Sequence, residues 1–199
     1  MSHLDTYRNY LDHLKSVLDG LNMDELDAVT HVLADAFAKD RTVFVAGNGG
    51  SAATASHLAC DFCKTTLGKT PKDVERRLRS IALSDSAPMM TAYGNDVAYE
   101  DIFGEALRTL ARSGDVLIVI TASGNSPNIV RALEAAKAIG VTTIGFLGFK
   151  GGKAKEMVDH YILAESTNYG VIEDAHSVFM HMLTEHLKSV VASGQLAAV

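Results

Sequence analysis

The sequence predicts an α/β fold with a parallel sheet covered by helices on both faces. Three observations carry this. Short apolar runs rich in β-branched residues recur along the chain, at Val43–Ala46, Ser80–Leu83, Val116–Ile120, 141–148 and 160–166, as buried parallel strands require. Between successive runs lie segments with apolar residues at helical spacing, so strands and helices alternate. Two of the runs end in polar, glycine-containing loops that lead directly into a helix, and in such sheets ligands bind beyond the carboxyl ends of the strands.

The chain has 199 residues, enough for one domain with a full core. Apolar residues make up 47% and charged residues 21%, an ordinary globular balance. A net charge of −6 provides no basic field, so neither nucleic acid nor an anionic membrane is an expected partner. No apolar stretch approaches the roughly 20 residues that span a bilayer. The opening MSHLDTYRNYLDHLKS has none of a signal peptide's apolar run, and the expected location is cytoplasmic.

Residues 3–39 carry two apolar stripes, Leu4, Tyr7, Leu11, Leu14 and Leu18, then Leu26, Val29, Val32, Leu33 and Phe37, separated by Gly20 and Asn22. They predict two helices before the first strand, with acidic residues near the start of the second. Such a pair serves either to pack on a partner subunit or to cover the sheet. The first strand, VFVA, runs through Gly47-Asn48-Gly49-Gly50-Ser51 into a helix, AATASHLACDF. Strand, glycine turn and helix N-terminus make an anion site: unpaired N–H groups point outward, the helix dipole favours negative charge, and glycine admits close approach. On that helix His57 and Asp61 stand four apart on one face, as a base or metal-ligand pair. Cys60 and Cys63 lie in the same helix, away from the N-terminus that would favour thiolate. They are expected to be buried or half-buried structural thiols.

A basic segment follows, 64–79, broken by Gly68 and Pro71. It is expected to be a solvated loop with a short helix, although Arg76, Arg77 and Arg79 could reach a phosphate in the same or a neighbouring subunit. After the second strand, a helix over Pro88–Tyr93 is expected to stop in a Gly94-Asn95-Asp96 turn. An amphipathic helix spans 99–112. The strand VLIVI then enters Thr121-Ala122-Ser123-Gly124-Asn125-Ser126, and Pro127 opens the next helix. Four hydroxyl- or amide-bearing side chains within six residues exceed what a turn needs and suit a phosphate. Another strand, a short helix over 153–158 and a last strand complete the sheet.

The final helix, Asn168–Val191, carries Glu173, Ser177 and His181 on one line at i, i+4 and i+8. Glu173 and His181 are about 12 Å apart along the axis. They reach a common point only if a ligand lies across the helix or comes from another subunit. Glu173 reads equally as part of a solvated face, and His181, among Phe179, Met180, Met182 and Leu183, as a satisfied core histidine. The tail SGQLAAV is expected to fray.

Together the GNGGSAA-x-A-S-H segment, the GND triplet, SGNSPN and the GVIEDAH-x4-H helix resemble the sugar isomerase (SIS) domain, and within it the phosphoheptose isomerases, over nearly the whole chain. The resemblance implies an SIS-type three-layer α-β-α sandwich with a five-stranded parallel sheet and an N-terminal helix pair. Residues 1–199 would be a single SIS domain, with 1–40 helping to form the oligomer and 41–199 the α/β core and C-terminal helix. It further implies a homotetramer with sites shared between subunits and the conversion of sedoheptulose 7-phosphate to D-glycero-D-manno-heptose 7-phosphate for surface polysaccharide. The sugar phosphate would be bound by Asn48, Gly49, Gly50 and Ser51, by Thr121, Ser123 and Ser126, by Asn95 and Asp96, and by Glu173. Zinc would be held by His57, Asp61, Glu173 and His181. Two of these four depart from the family pattern: Asp61 stands where Glu is usual, and Glu173 where Gln is.

Aldose–ketose exchange takes a proton from carbon beside a carbonyl and returns it to the neighbouring carbon. Asp61 or Glu173 is the expected base and His181 the acid on oxygen, with zinc stabilising developing charge. The alternatives are a non-catalytic SIS module that binds a phosphosugar or a replication initiator, and an isomerase of another phosphosugar. A pure binding module has no use for Asp61, Glu173 and His181 together, which favours an enzyme.

Overall fold

The computed structural model describes residues 2–67 and 76–193. The expected Gly68–Pro71 break, the short helix near it and the tail beyond 193 lie outside the described residues. Helices α1 (His3–Asp19) and α2 (Met23–Ala38) come first. Ser2 caps α1 in a reciprocal box with Asp5, whose carboxyl is held below its ordinary range by the Ser2 N–H and hydroxyl. Asn22 caps α2.

Then follow β1 (Thr42–Gly47), α3 (Gly50–Lys64), a 3-10 turn (Thr65–Leu67), β2 (Arg79–Ala82), α4 (Ala87–Asp96), a second 3-10 turn (Tyr99–Asp101) and α5 (Ile102–Leu110). The second half contains β3 (Val116–Thr121), α6 (Pro127–Ile139), β4 (Thr142–Gly148), α7 (Gly152–Met157), β5 (His160–Ala164) and α8 (Tyr169–Ser193). Every strand pairing is parallel, in the order β2-β1-β3-β4-β5. The expected five-stranded parallel sheet is therefore present.

Alternation along the strands splits the core in two. Val43, Val45, Ile118, Ile120, Ile144 and Phe146 face α2, α3 and α8. Phe44, Ala46, Leu117, Val119 and Leu147 face the layer formed by α5, α6 and α7. Chain order reverses between β1 and β3: from β1 the chain crosses to β2 on one side, and from β3 it proceeds to β4 and β5 on the other. That switch point leaves a crevice at the carboxyl ends of β1 and β3, where both polar loops sit.

Several expectations change. Gly94, Asn95 and Asp96 are the last turn of α4 rather than a stop: the Val97 N–H reaches the Tyr93 carbonyl, and Gly94 does not use a positive φ. Cys60 and Cys63 are both exposed, and the Cys63 thiol donates to the Ser80 carbonyl at 3.4 Å. On α1 the stripe is split: Leu14 and Leu18 pack on the core, while Leu4, Tyr7 and Leu11 are exposed. The helix is tied instead to α8 through Tyr10, whose hydroxyl donates to Asp174 at 2.6 Å, and to the segment before α8 through a 3.2 Å contact of His13 with Ser166. The bond to Asp174 pushes the Tyr10 phenol up to about 12.

Candidate active site

The first wall is a cradle built from two strand-to-helix loops. Gly47 ends β1, and a Cβ there would lie 2.5 Å from the Ser51 carbonyl, so the first turn of α3 closes against bare backbone. Gly49 takes φ +54° and offers α3 no side-chain cap. The first N–H groups of α3 therefore remain directed at the crevice. Ser126 likewise gives α6 no side-chain cap, with Pro127 following. In the loop between, the Thr121 hydroxyl accepts the Gly124 N–H at 3.2 Å and the Ser123 hydroxyl accepts the Asn125 N–H at 3.2 Å. A hydroxyl that accepts from backbone keeps its own proton to give. Both hydroxyls thus keep a proton available to donate.

The two loops are bolted together by a residue the sequence did not single out as functional. Asn128 is 2% exposed. Its amide exchanges two hydrogen bonds with that of Asn48, at 2.9 and 2.8 Å, and the Tyr99 hydroxyl adds a 3.4 Å bond to Asn48 Oδ1. The Asn48 side chain is consequently a strut between loops. The available signal was its place in SGNSPN, one residue into α6, where an amide is not needed for capping. The cleft enclosed by this wall measures about 180 Å³ and is lined by Asn48, Ser51, Thr121, Ser123, Ser126 and Glu173 among others. A larger cavity of about 650 Å³ adjoins it through Ser123 and Tyr169. It is mostly apolar, and the hydroxyls and carboxylate converge on the smaller cleft.

Glu173 enters this cleft from the first turns of α8. Its carboxylate lies against Gly50, close enough that a Cβ on Gly50 would be 2.7 Å from Oε1. Among the described residues that carboxylate makes no hydrogen bond.

The second wall is a cluster on the adjacent faces of α3 and α8. His57, Asp61 and His181 each offer a ligand atom, all within 4.8 Å of one another. Asp61 Oδ2 lies 3.7 Å from His57 Nε2 and 3.8 Å from His181 Nε2, and the imidazoles meet edge to face at 5.2 Å. Asp61 is 8% exposed, whereas both imidazoles stand about half open to solvent. Zinc bonds of about 2.0–2.2 Å in a tetrahedron separate ligand atoms by roughly 3.4 Å. Two nitrogens and one carboxylate oxygen, all within 4.8 Å of one another, are a donor set that could hold such an ion.

Of the four residues expected to hold a metal, the structure brings together three. Glu173 is not in the group; it lies two turns up α8, at the cradle. His181 is not a core histidine. That role belongs to His176, 1% exposed, whose Nε2 lies 3.0 Å from the Leu147 carbonyl. A carbonyl only accepts, so Nε2 carries the proton and the buried Nδ1 is left without a partner. Burial lowers the His176 pKa to about 4.

Asn95 and Asp96 are exposed at the end of α4 and bond to each other at 2.7 Å; neither lines the cleft. Arg76 and Arg79 are at the opposite end of the sheet. Arg76 donates to the Ala38 carbonyl, and Arg79 bonds the Asp40 carbonyl and pairs with its carboxylate. Neither reaches the cradle of its own chain.

A switch-point crevice with two uncapped helix N-termini, fixed hydroxyls and a histidine–carboxylate cluster defines an α/β protein built to hold an anionic ligand beside reactive side chains. The SIS domain family matches residues 6–148. The phosphoheptose isomerase of Clostridium acetobutylicum is 35% identical over 171 residues, 86% of this chain and 85% of that protein. The structure superposes on the phosphoheptose isomerases of Neisseria gonorrhoeae and Francisella tularensis with TM-scores of 0.84 and 0.86, each at 25% identity. The matches cover 94% and 95% of this chain, and 96% and 100% of those chains. The chain belongs to the SIS domain family and, within it, to the phosphoheptose isomerases.

Proposed function

We infer that this chain is an aldose–ketose isomerase that converts sedoheptulose 7-phosphate to D-glycero-D-manno-heptose 7-phosphate, a reaction that supplies heptose for surface polysaccharide. The observation that carries this reading is the convergence of the cradle hydroxyls and the Glu173 carboxylate on one cleft. The phosphate would be taken by the N–H groups of the Gly49–Ser51 turn and by the hydroxyls of Thr121, Ser123 and Ser126. Isomerisation needs a carboxylate that can take up a carbon-bound proton and return it to the neighbouring carbon without leaving its place. Glu173 suits that task because its carboxylate is uncommitted. Asp61 is engaged by its neighbours, which suits a ligand better than a base.

His57, Asp61 and His181 would hold zinc. When bound, zinc supplies Lewis-acid stabilisation of negative charge on the enediol oxygens. A nitrogen that binds a cation has no proton to give, so the ligand and acid roles exclude each other at His181 Nε2. We assign it the ligand role because that atom faces Asp61 Oδ2 beside His57.

We further propose a homotetramer with shared sites. A cleft of about 180 Å³ is small beside the roughly 300–1,000 Å³ usual for small-molecule pockets. The exposed Leu4, Tyr7 and Leu11 offer an apolar strip for a second copy. A Glu173 that joined the His57–Asp61–His181 group would have to come from another copy, given about 12 Å of rise between it and His181. Asn95 and Asp96 would then also serve a neighbouring site. In this reading residues 1–199 are one domain, with 1–40 closing the oligomer and 41–199 carrying the chemistry. Among the described residues no helix is long and apolar enough to cross a membrane. Two exposed thiols suit the reducing cytoplasm.

The test is turnover of sedoheptulose 7-phosphate by Glu173→Gln, which keeps shape and removes basicity. A fall in kcat of about 10²–10⁴-fold with phosphate affinity retained is expected. Full activity in that variant would move the base elsewhere.

A further inference from the structure

We propose that Thr65 is a positioning residue for the metal cluster: it holds the Asp61 carboxylate so that one oxygen, Oδ2, is presented to the cation. This rests on the reading of His57, Asp61 and His181 as metal ligands. Serine and threonine in helices normally return their hydroxyl proton to the carbonyl four residues back. Thr30, Thr54, Thr66 and Thr184 all do so here, to Leu26, Gly50, Phe62 and Met180. Thr65 departs from that habit. Its hydroxyl donates to the side chain of the residue four back, Asp61 Oδ1, at 2.8 Å. Its backbone N–H meanwhile takes the Asp61 carbonyl, closing α3. Both donors of Thr65 are thus spent on one residue.

The geometry gives this pairing a consequence. A carboxylate on a single methylene rotates about two bonds, and either oxygen could face the histidines. With Oδ1 committed to Thr65, Oδ2 stands 3.7 and 3.8 Å from the two Nε2 atoms. The hydroxyl fixes which oxygen binds and how the carboxylate plane is turned, as outer hydrogen bonds do for metal ligands generally. Thr65 is half-buried in the 3-10 turn that follows α3, so its position is set by the chain rather than by ligand.

The experiment is zinc affinity of the full-length protein, measured by competition with a chromophoric chelator, alongside thermal melting. Thr65→Val replaces the hydroxyl with a methyl of the same shape. It is expected to weaken zinc binding about 10–100-fold with a melting temperature close to that of the parent protein. Thr65→Ser restores the donor and is expected to bring affinity back to within a few-fold, about the parent value. Thr30→Val, which removes a hydroxyl bonded to backbone, leaves affinity unchanged. If Thr65→Val melts early, Thr65→Ala at a temperature well below its transition gives the same comparison. Unchanged affinity in the Val and Ala variants, with binding abolished in Asp61→Asn, overturns the role of Thr65 and leaves the metal site standing. Unchanged affinity in Asp61→Asn itself overturns the metal reading and this inference with it.

Discussion

The cradle and the histidine–carboxylate cluster are built in opposite ways. The cradle is mostly backbone. Its donors are helix N–H groups and hydroxyls already fixed by loop N–H bonds, and it depends on glycines at positions where a side chain has no room. The cluster is entirely side chain. Three residues from two helices far apart in sequence meet at Asp61, and their alignment depends on how α8 lies on α3. An anion needs a preset array of donors, which backbone supplies without rotamer choice. A metal or proton site needs defined atoms at defined distances, which only placed side chains supply. The difference teaches that the cradle should fail through the main chain, and the cluster through single functional groups.

The largest effect is expected where the cradle's backbone is broken. Gly124 has φ +64°, and a Cβ there would collide with the Gly151 carbonyl oxygen. The loop is clamped to the start of α7 by Ala154 N–H to the Gly124 carbonyl at 2.9 Å and by Lys153 N–H to Asn125 Oδ1 at 3.1 Å. Gly124→Ala is expected to lose about 3 kcal/mol of stability and to raise KM strongly. Zinc affinity of the folded fraction should remain, since the cluster lies on other elements. A loss of both in step would show the two walls to be one unit.

His176 tests what joins them. It lies three residues after Glu173 and five before His181, and its bond to the Leu147 carbonyl fastens α8 to β4. Its folded pKa of about 4 lies below the unfolded value of 6.5. Between those values the unfolded chain takes up a proton that the folded chain refuses, so stability falls as pH drops from about 6.5 toward 4. The loss approaches roughly 3 kcal/mol at the acid end. Urea unfolding at pH 7 and pH 4.5 measures it, and His176→Gln should flatten this part of the slope. The smallest effect is expected for Thr121→Val. Removing one donor to a charged ligand costs about 1.5–3 kcal/mol, a KM rise of roughly 10–100-fold with kcat nearly held. A kcat loss equal to the KM effect would argue that the hydroxyl acts in the chemistry and blur the division between the walls.

How much of this could be read from the chain follows the same division. The strands were legible because consecutive β-branched residues in short runs suit a sheet buried on both faces. The cradle was legible because glycines and hydroxyls next to such strands act through local geometry. His57 and Asp61 were legible as a pair, four apart on one helix. Their meeting with His181 rested on resemblance, because sequence spacing says nothing about how two helices cross. The 12 Å between Glu173 and His181 was foreseen, and the structure gives them to different walls. On α8 the core histidine is His176, 1% exposed, and not His181, because the sheet encloses the face that carries His176. The Gly94–Asp96 turn was misjudged because Gly-Asn-Asp suits a turn in isolation, while here the helical bond from Val97 to Tyr93 prevails.

The bond from Tyr10 to Asp174 spans 164 positions of sequence. The two cradle loops and the Asn48–Asn128 tie between them lie within the first 139 residues, and the clamp on the second loop comes with α7. The cluster also needs His181, which lies further along the chain on α8. A ribosome adding about 5–20 residues per second therefore exposes a nascent chain whose sheet face, later sheltered by α8, is open for several seconds. During that interval α1 lacks its bond to Asp174. The docking of α8, which joins residues far apart in the chain, is therefore expected to follow assembly of the cradle.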